Sequence, residues 1–117
     1  MARRPGVARG LSSGDVRLIE LASPDKVRPA IVVTRTSAIA YLNALSVVPI
    51  TRTVRDVPSE LSVGDAEGLK VVSAANLHAI QTVPKNQIGR YVGTLQAERR
   101  RALRDALLFA FGLDDLE

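Results

Sequence analysis

At 117 residues, with 46% hydrophobic and 24% charged side chains, the chain has the length and composition of one globular domain, which excludes a disordered or membrane-embedded class. The absence of cysteine excludes disulfides, thiolate metal sites and cysteine nucleophiles together, and a single histidine makes an imidazole-based zinc site improbable. A net charge of +4 points to a polyanionic partner, while an aromatic content of 3% argues against a base-stacking platform, so phosphates would be the main handle.

Met1 to Ser13 is basic and aperiodic and is expected to be a flexible arm ahead of one domain at 14–117. Its Arg3-Arg4 pair is followed by no apolar stretch, which argues against an export signal and leaves the cytoplasm as the expected compartment. The longest apolar runs are four to six residues, so no membrane span is expected. Gly14-Asp15 is a turn signal, and Val16 to Leu21 alternates in part as a first strand. Ser23-Pro24-Asp25 suits a short hairpin connection to a second strand at Arg28 to Thr34. Pro29 cannot donate to a ladder and belongs at that strand's start or on an edge.

Ser37 to Asn43 fits a loop or a single helical turn. Leu45 to Ile50 reads as a third strand, Thr51 to Pro58 as a polar loop, and Glu60 to Val63 as a fourth strand before a turn at Gly64 to Gly68. Leu69 to Ser73 and Ala79 to Val83 read as strands flanking Asn76, and Gln87 to Gly93 as a last short strand beyond the Pro84-Lys85-Asn86 break. From Gln96 to Phe111 the period changes: Leu103, Leu107, Ala110 and Phe111 share one helical face, with Thr94 as the expected N-cap and Gly112 as the C-cap glycine. The basic cluster Arg99, Arg100, Arg101 and Arg104 is expected on the solvated side of that helix. The fold class is therefore mainly β with α, a strongly curved antiparallel sheet or small barrel with a C-terminal helix.

Several stretches together resemble the MazF/PemK toxin endoribonucleases. They are Gly14-Asp15-Val16, Arg28-Pro29 opening an apolar strand, and Val48-Pro49-Ile50-Thr51. Farther on they are Gly68-Leu69, Ser73, Leu77 to Lys85, the return from Ile88 to Leu95, and the closing Phe111-Gly112-Leu113. The resemblance implies an SH3-like barrel of the CcdB/PemK type and a homodimer. It also implies metal-independent, cofactor-free cleavage of single-stranded RNA, and neutralisation by a cognate antitoxin whose C-terminal segment lies in the RNA groove. It places the catalytic arginine on Arg28 and the catalytic hydroxyl on Thr51. Asp25-Lys26-Val27-Arg28-Pro29 is similar to a mycobacterial subset with a short first loop, and His78-Ala79-Ile80-Gln81 stands where the common pattern is Asp-Gln-Ile-Arg, which bears on base specificity.

RNA is cut when its 2′-hydroxyl attacks the adjacent phosphorus, and a fixed cation and hydroxyl donor aimed at the phosphoryl oxygens favour that step. Arg28 suits the cation, since its fork holds two oxygens at once, and Thr51 suits the donor. Lys26, Arg52, Arg55 and Lys85 are candidates for flanking phosphates, Asn76 and Gln81 for base edges, and Thr53 and His78 for the same RNA path. Two alternatives stay open: a CcdB-like gyrase inhibitor, disfavoured by the lack of Trp, and a non-catalytic RNA-binding barrel.

Overall fold

The computed structural model describes residues 10–20 and 27–115. Among the described residues there are seven strands: β1 (Asp15–Glu20), β2 (Val27–Val32), β3 (Ala44–Thr51), β4 (Glu60–Val63), β5 (Ser73–Asn76), β6 (Gln81–Pro84) and β7 (Ile88–Thr94). A single turn, α1 (Thr36–Ile39), follows β2, and α2 (Ala97–Ala110) closes the described chain. All pairings are antiparallel, in the order β4-β5-β3-β2-β1-β7, with β6 also paired to β3.

The curl of the sheet originates in β3, which is eight residues long. Its first half, Ala44 to Val47, pairs with β6, and its last two residues pair with Ala75 and Ala74 of β5. One strand thus serves two partial sheets and must bend between them. Gly14 helps close the curl from the other side: its N–H donates to Val32 O at 2.7 Å and its carbonyl accepts from Leu95 N–H at 2.9 Å.

The sheet is buried on both faces at its centre. Ile31 and Val48 enter one apolar cluster with Ile50, Leu77 and Ala106, beneath α2. Their neighbours Ala30, Val32 and Val47 enter a second cluster with Ile19, Leu45 and Val83 on the opposite face. A strand covered on both sides needs no polar positions, which explains the unbroken Ala-Ile-Val run of β2. Leu11 also lies buried in the second cluster, so packing begins ahead of the expected boundary at Gly14, while residues 1–9 lie outside the described part.

Two expectations are corrected. Leu69 to Ser73 is not a strand: β5 begins at Ser73, and Val71 and Val72 are exposed, so their β-branched side chains have no sheet surface to pack on. Gly68, at φ +88°, turns the chain here, and Leu69 N–H returns to Gly64 O at 3.0 Å. Thr94 does not cap α2. It ends β7 with its hydroxyl bonded to Tyr91 Oη, and Gln96 takes the cap position without a side-chain capping bond, its Nε2 donating to Thr94 O at 3.5 Å.

Gly112 does terminate α2. At φ +69° it donates to Phe109 O at 3.1 Å, and Leu113 N–H reaches Leu108 O at 2.8 Å, the paired bonds of a Schellman ending. The buried face of α2 centres on Ala106 with Ala102, Leu103, Leu107 and Ala110, whereas Phe111 is half exposed beyond it. Arg99 and Arg100 do not merely float in solvent: they donate to Ser62 O and, at 2.7 Å, to Ser13 O. Among the described residues no helix is long and apolar enough to cross a membrane.

Candidate functional site

β2 and β3 pair through Ala30 opposite Pro49, Ile31 opposite Val48, and Val32 opposite Val47. Continuing that register two residues outward sets Arg28 across from Thr51. The ladder stops short of them, while on its other edge β3 pairs with β5 through Ile50 and Thr51. Pro29 sits where this ladder has ended, so its missing N–H leaves no β3 partner unpaired.

A cavity of about 590 Å³ opens at this splayed end. Leu18, Pro29, Ile50 and Val92 contribute apolar surface, and Arg28, Arg52, Lys70 and Arg90 bring four cations to its lining. Among the described residues no carboxylate lines it. Four positive charges with no counter-charge among those residues suit the space to an anion.

The two hydroxyls of the cavity differ in what they can still offer. Ser73 is buried, and its hydroxyl donates to Val71 O at 2.9 Å, so its proton is committed. Thr51 is half buried, and its Oγ1 accepts from Thr53 N–H at 3.1 Å. That local bond between a threonine and the second residue after it orients the oxygen and leaves the Thr51 proton for an outside acceptor.

The expected site residues divide by position. Arg28, Thr51 and Arg52 meet in the cavity. Thr53 contributes its backbone N–H to orienting Thr51. Arg55 lies beyond the cavity lining, on a loop whose Arg55 and Asp56 N–H groups both donate to the Glu60 carboxylate, at 3.0 and 2.9 Å. Asn76 Oδ1 accepts from His78 N–H at 2.9 Å and so caps the turn Leu77–Ala79, while the His78 side chain is exposed. Gln81 is exposed on β6 opposite Val47. Lys85 Nζ donates to Ile39 O at 2.7 Å and its N–H to Asn43 O at 2.9 Å, a clamp on the end of α1. Lys26 lies outside the described residues.

Lys70 and Arg90 are absent from the sequence-derived set. Arg90 and Val92 both line the cavity, but register shifts in the β1–β7 pairing interrupt simple alternation along β7. The approach of this strand to Arg28 depends on β1 inserting between β2 and β7, so neither is legible in the sequence. Among the described residues no group of three or more His, Asp or Glu is placed to hold a metal ion.

Residues 12–111 match the family model described as the PemK-like, MazF-like toxin of type II toxin-antitoxin systems. The chain is 37% identical over 99 residues to Endoribonuclease MazF3 of Mycobacterium tuberculosis, covering 85% of this chain and 96% of that protein. It superposes on the Mycobacterium tuberculosis toxin MazF-mt6 with a TM-score of 0.80 at 35% identity, covering 86% and 98% of the two chains. A mycobacterial endoribonuclease in complex with its cognate antitoxin shares the fold, with a TM-score of 0.79 at 23% identity and coverage of 88% and 96%. The chain belongs to the PemK-like, MazF-like family of toxins of type II toxin-antitoxin systems.

Proposed function

We propose that this toxin is an endoribonuclease that cuts single-stranded RNA in the cavity between β2 and β3, with Arg28 and Thr51 as its catalytic residues. The observation that carries the reading is the meeting of Arg28 with a Thr51 hydroxyl whose proton is uncommitted, in a cavity whose described lining holds no carboxylate. The 2′-oxygen of the substrate attacks the adjacent phosphorus, the bond from phosphorus to the 5′-oxygen breaks, and the products carry a 2′,3′-cyclic phosphate and a 5′-hydroxyl. Negative charge grows on the non-bridging oxygens during that exchange. The Arg28 fork holds two of those oxygens and Thr51 donates to one. A guanidinium stays charged, so water takes the 2′-proton and protonates the leaving oxygen.

The toxin acts in the cytoplasm as a homodimer and needs no metal. An acidic segment of a cognate antitoxin competes for the same cations; an antitoxin as partner is supported by the complex of a mycobacterial endoribonuclease with its cognate antitoxin and by the MazE-MazF complexes of Deinococcus radiodurans, which share the fold. The test is incubation of purified protein with a defined single-stranded RNA in excess EDTA, followed by analysis of fragment ends. Fragments with 5′-hydroxyl ends are expected from the wild type and none from Arg28→Ala. RNA left intact by the wild type, or undiminished cutting by Arg28→Ala, overturns the reading.

A further inference from the structure

The basic side chains of the described structure fall into two groups. Outside the cavity, Arg17 pairs with Asp15 at 3.2 Å and donates to Gly89 O at 3.2 Å, Arg99, Arg100 and Lys85 hold backbone carbonyls, and Arg104 pairs with Asp105, whereas Arg35, Arg55 and Arg101 stand apart from one another with no side-chain partner among the described residues. Arg28, Arg52, Lys70 and Arg90 make no side-chain hydrogen bond or ion pair with any described residue, and all four line one cavity. Arg28 and Arg52 flank Thr51, where cleavage is placed. Lys70 and Arg90 form another wall.

That wall is built by one close backbone contact. A Cβ on Gly68 would lie 2.3 Å from Val92 O, and one on Gly93 would lie 2.1 Å from Glu67 O, so the turn ending at Gly68 rests directly on β7. The turn is itself fixed by the buried Glu67 carboxylate, which accepts Gly64 N–H at 2.7 Å. Lys70 stands two residues after this contact and Arg90 two residues before Val92. The contact therefore presents both cations, each exposed, on one side of the cavity. β7 is separated from β2 by β1 alone, so Arg90 projects from a backbone about 10 Å from that of Arg28, at roughly 4.8 Å per strand. Leu18 of β1 gives the intervening lining an apolar side chain.

We infer that Lys70 and Arg90 hold the backbone phosphates next to the one that is cut, fixing the path of the RNA across β2, β1 and β7. The inference rests on the ribonuclease reading and extends it to two residues that take no part in bond making. Contacts of this kind set register and affinity and carry no base information. Each phosphate neutralised on a single strand contributes about −0.7 to the slope of log binding constant against log salt.

The test measures binding of a fluorescein-labelled, random-sequence oligonucleotide carrying 2′-O-methyl groups, which cannot be cut, across a range of salt. Wild type is compared with Lys70→Gln, Arg90→Gln, the double variant, and the charge-keeping Lys70→Arg and Arg90→Lys, all with melting temperatures checked. The slope is expected to become less negative by about 0.7 for each charge removed and to stay near wild type in the charge-keeping pair. On cleavable RNA, KM should rise with kcat and the cut positions unchanged. An unchanged slope in the double variant overturns the inference. So does a fall in kcat without a change in slope. If wild type cuts RNA and the double variant keeps the full slope, only this inference fails. If wild type leaves RNA intact, the ribonuclease reading fails, and the slope still decides the phosphate wall.

Discussion

At the scale of single residues, what distinguishes Thr51 is what its oxygen does with its neighbours. Because Oγ1 already accepts the Thr53 N–H, serine can replace threonine and keep both the accepted bond and the free proton. Thr51→Ser should retain cleavage, while Thr51→Val should lose on the order of 10²–10³ in kcat, as removal of one transition-state donor does. Single-turnover kinetics of the two variants would check this, and equal rates would exclude Thr51 as donor. The pair Asp15–Arg17 illustrates a different use of arginine: both side chains are buried, and Asp15 Oδ2 also accepts Ser12 N–H at 3.1 Å. Asp15→Ala takes the carboxylate from a buried guanidinium that keeps its bond to Gly89 O, and should cost up to about 3–5 kcal/mol in urea unfolding. Arg28 and Thr51 stand where an apolar run meets a polar one, which marked their positions in the sequence, while the roles proposed for them come from the family resemblance. Lys70 was not marked in this way, because its neighbours Val71 and Val72 imitate a strand that has no partner.

At the scale of elements, local chemistry was legible wherever one rule decided the outcome. Glu60 to Val63 forms β4 over the expected span, and Gly112 ends α2 where a left-handed residue is needed. The cap at the other end of α2 failed because Thr94 answers to β7 and Tyr91 before it can answer to the helix. The buried helical face was displaced toward Ala106, a residue too small to signal burial by hydrophobicity but close enough to the sheet to be covered. Small residues also govern the seam between the Asp65–Glu67 turn and β7. Gly93→Ala would place a methyl group against the Glu67 carbonyl and should cost about 1–3 kcal/mol, read from the denaturation midpoint. Should that variant match wild type, the two segments do not pack as closely as described.

At the scale of the molecule, the antiparallel class and the single closing helix were legible from strand spacing and a change of period. The order of the strands was not. Nothing in β7 announces that it pairs with β1, and nothing in β3 announces that its two halves serve different partners. Those long-range pairings are decided by which apolar faces can be covered together, a property of the assembled sheet and not of any window of sequence.

The reach of the cavity lining, from Leu18 to Val92, has a consequence for when the chain becomes active during its own synthesis. A nascent chain halted at Asn86 already holds Arg28 and Thr51 but has no β7, so the wall beside β1 is missing. Pairing between strands so distant along the chain forms slowly compared with local structure. Ribosomes stalled at that codon should therefore carry an inert product, and RNA in a cell-free translation should begin to disappear only once chains carrying β7 are released. The danger comes at the end of translation, which is also when an antitoxin would have to be waiting.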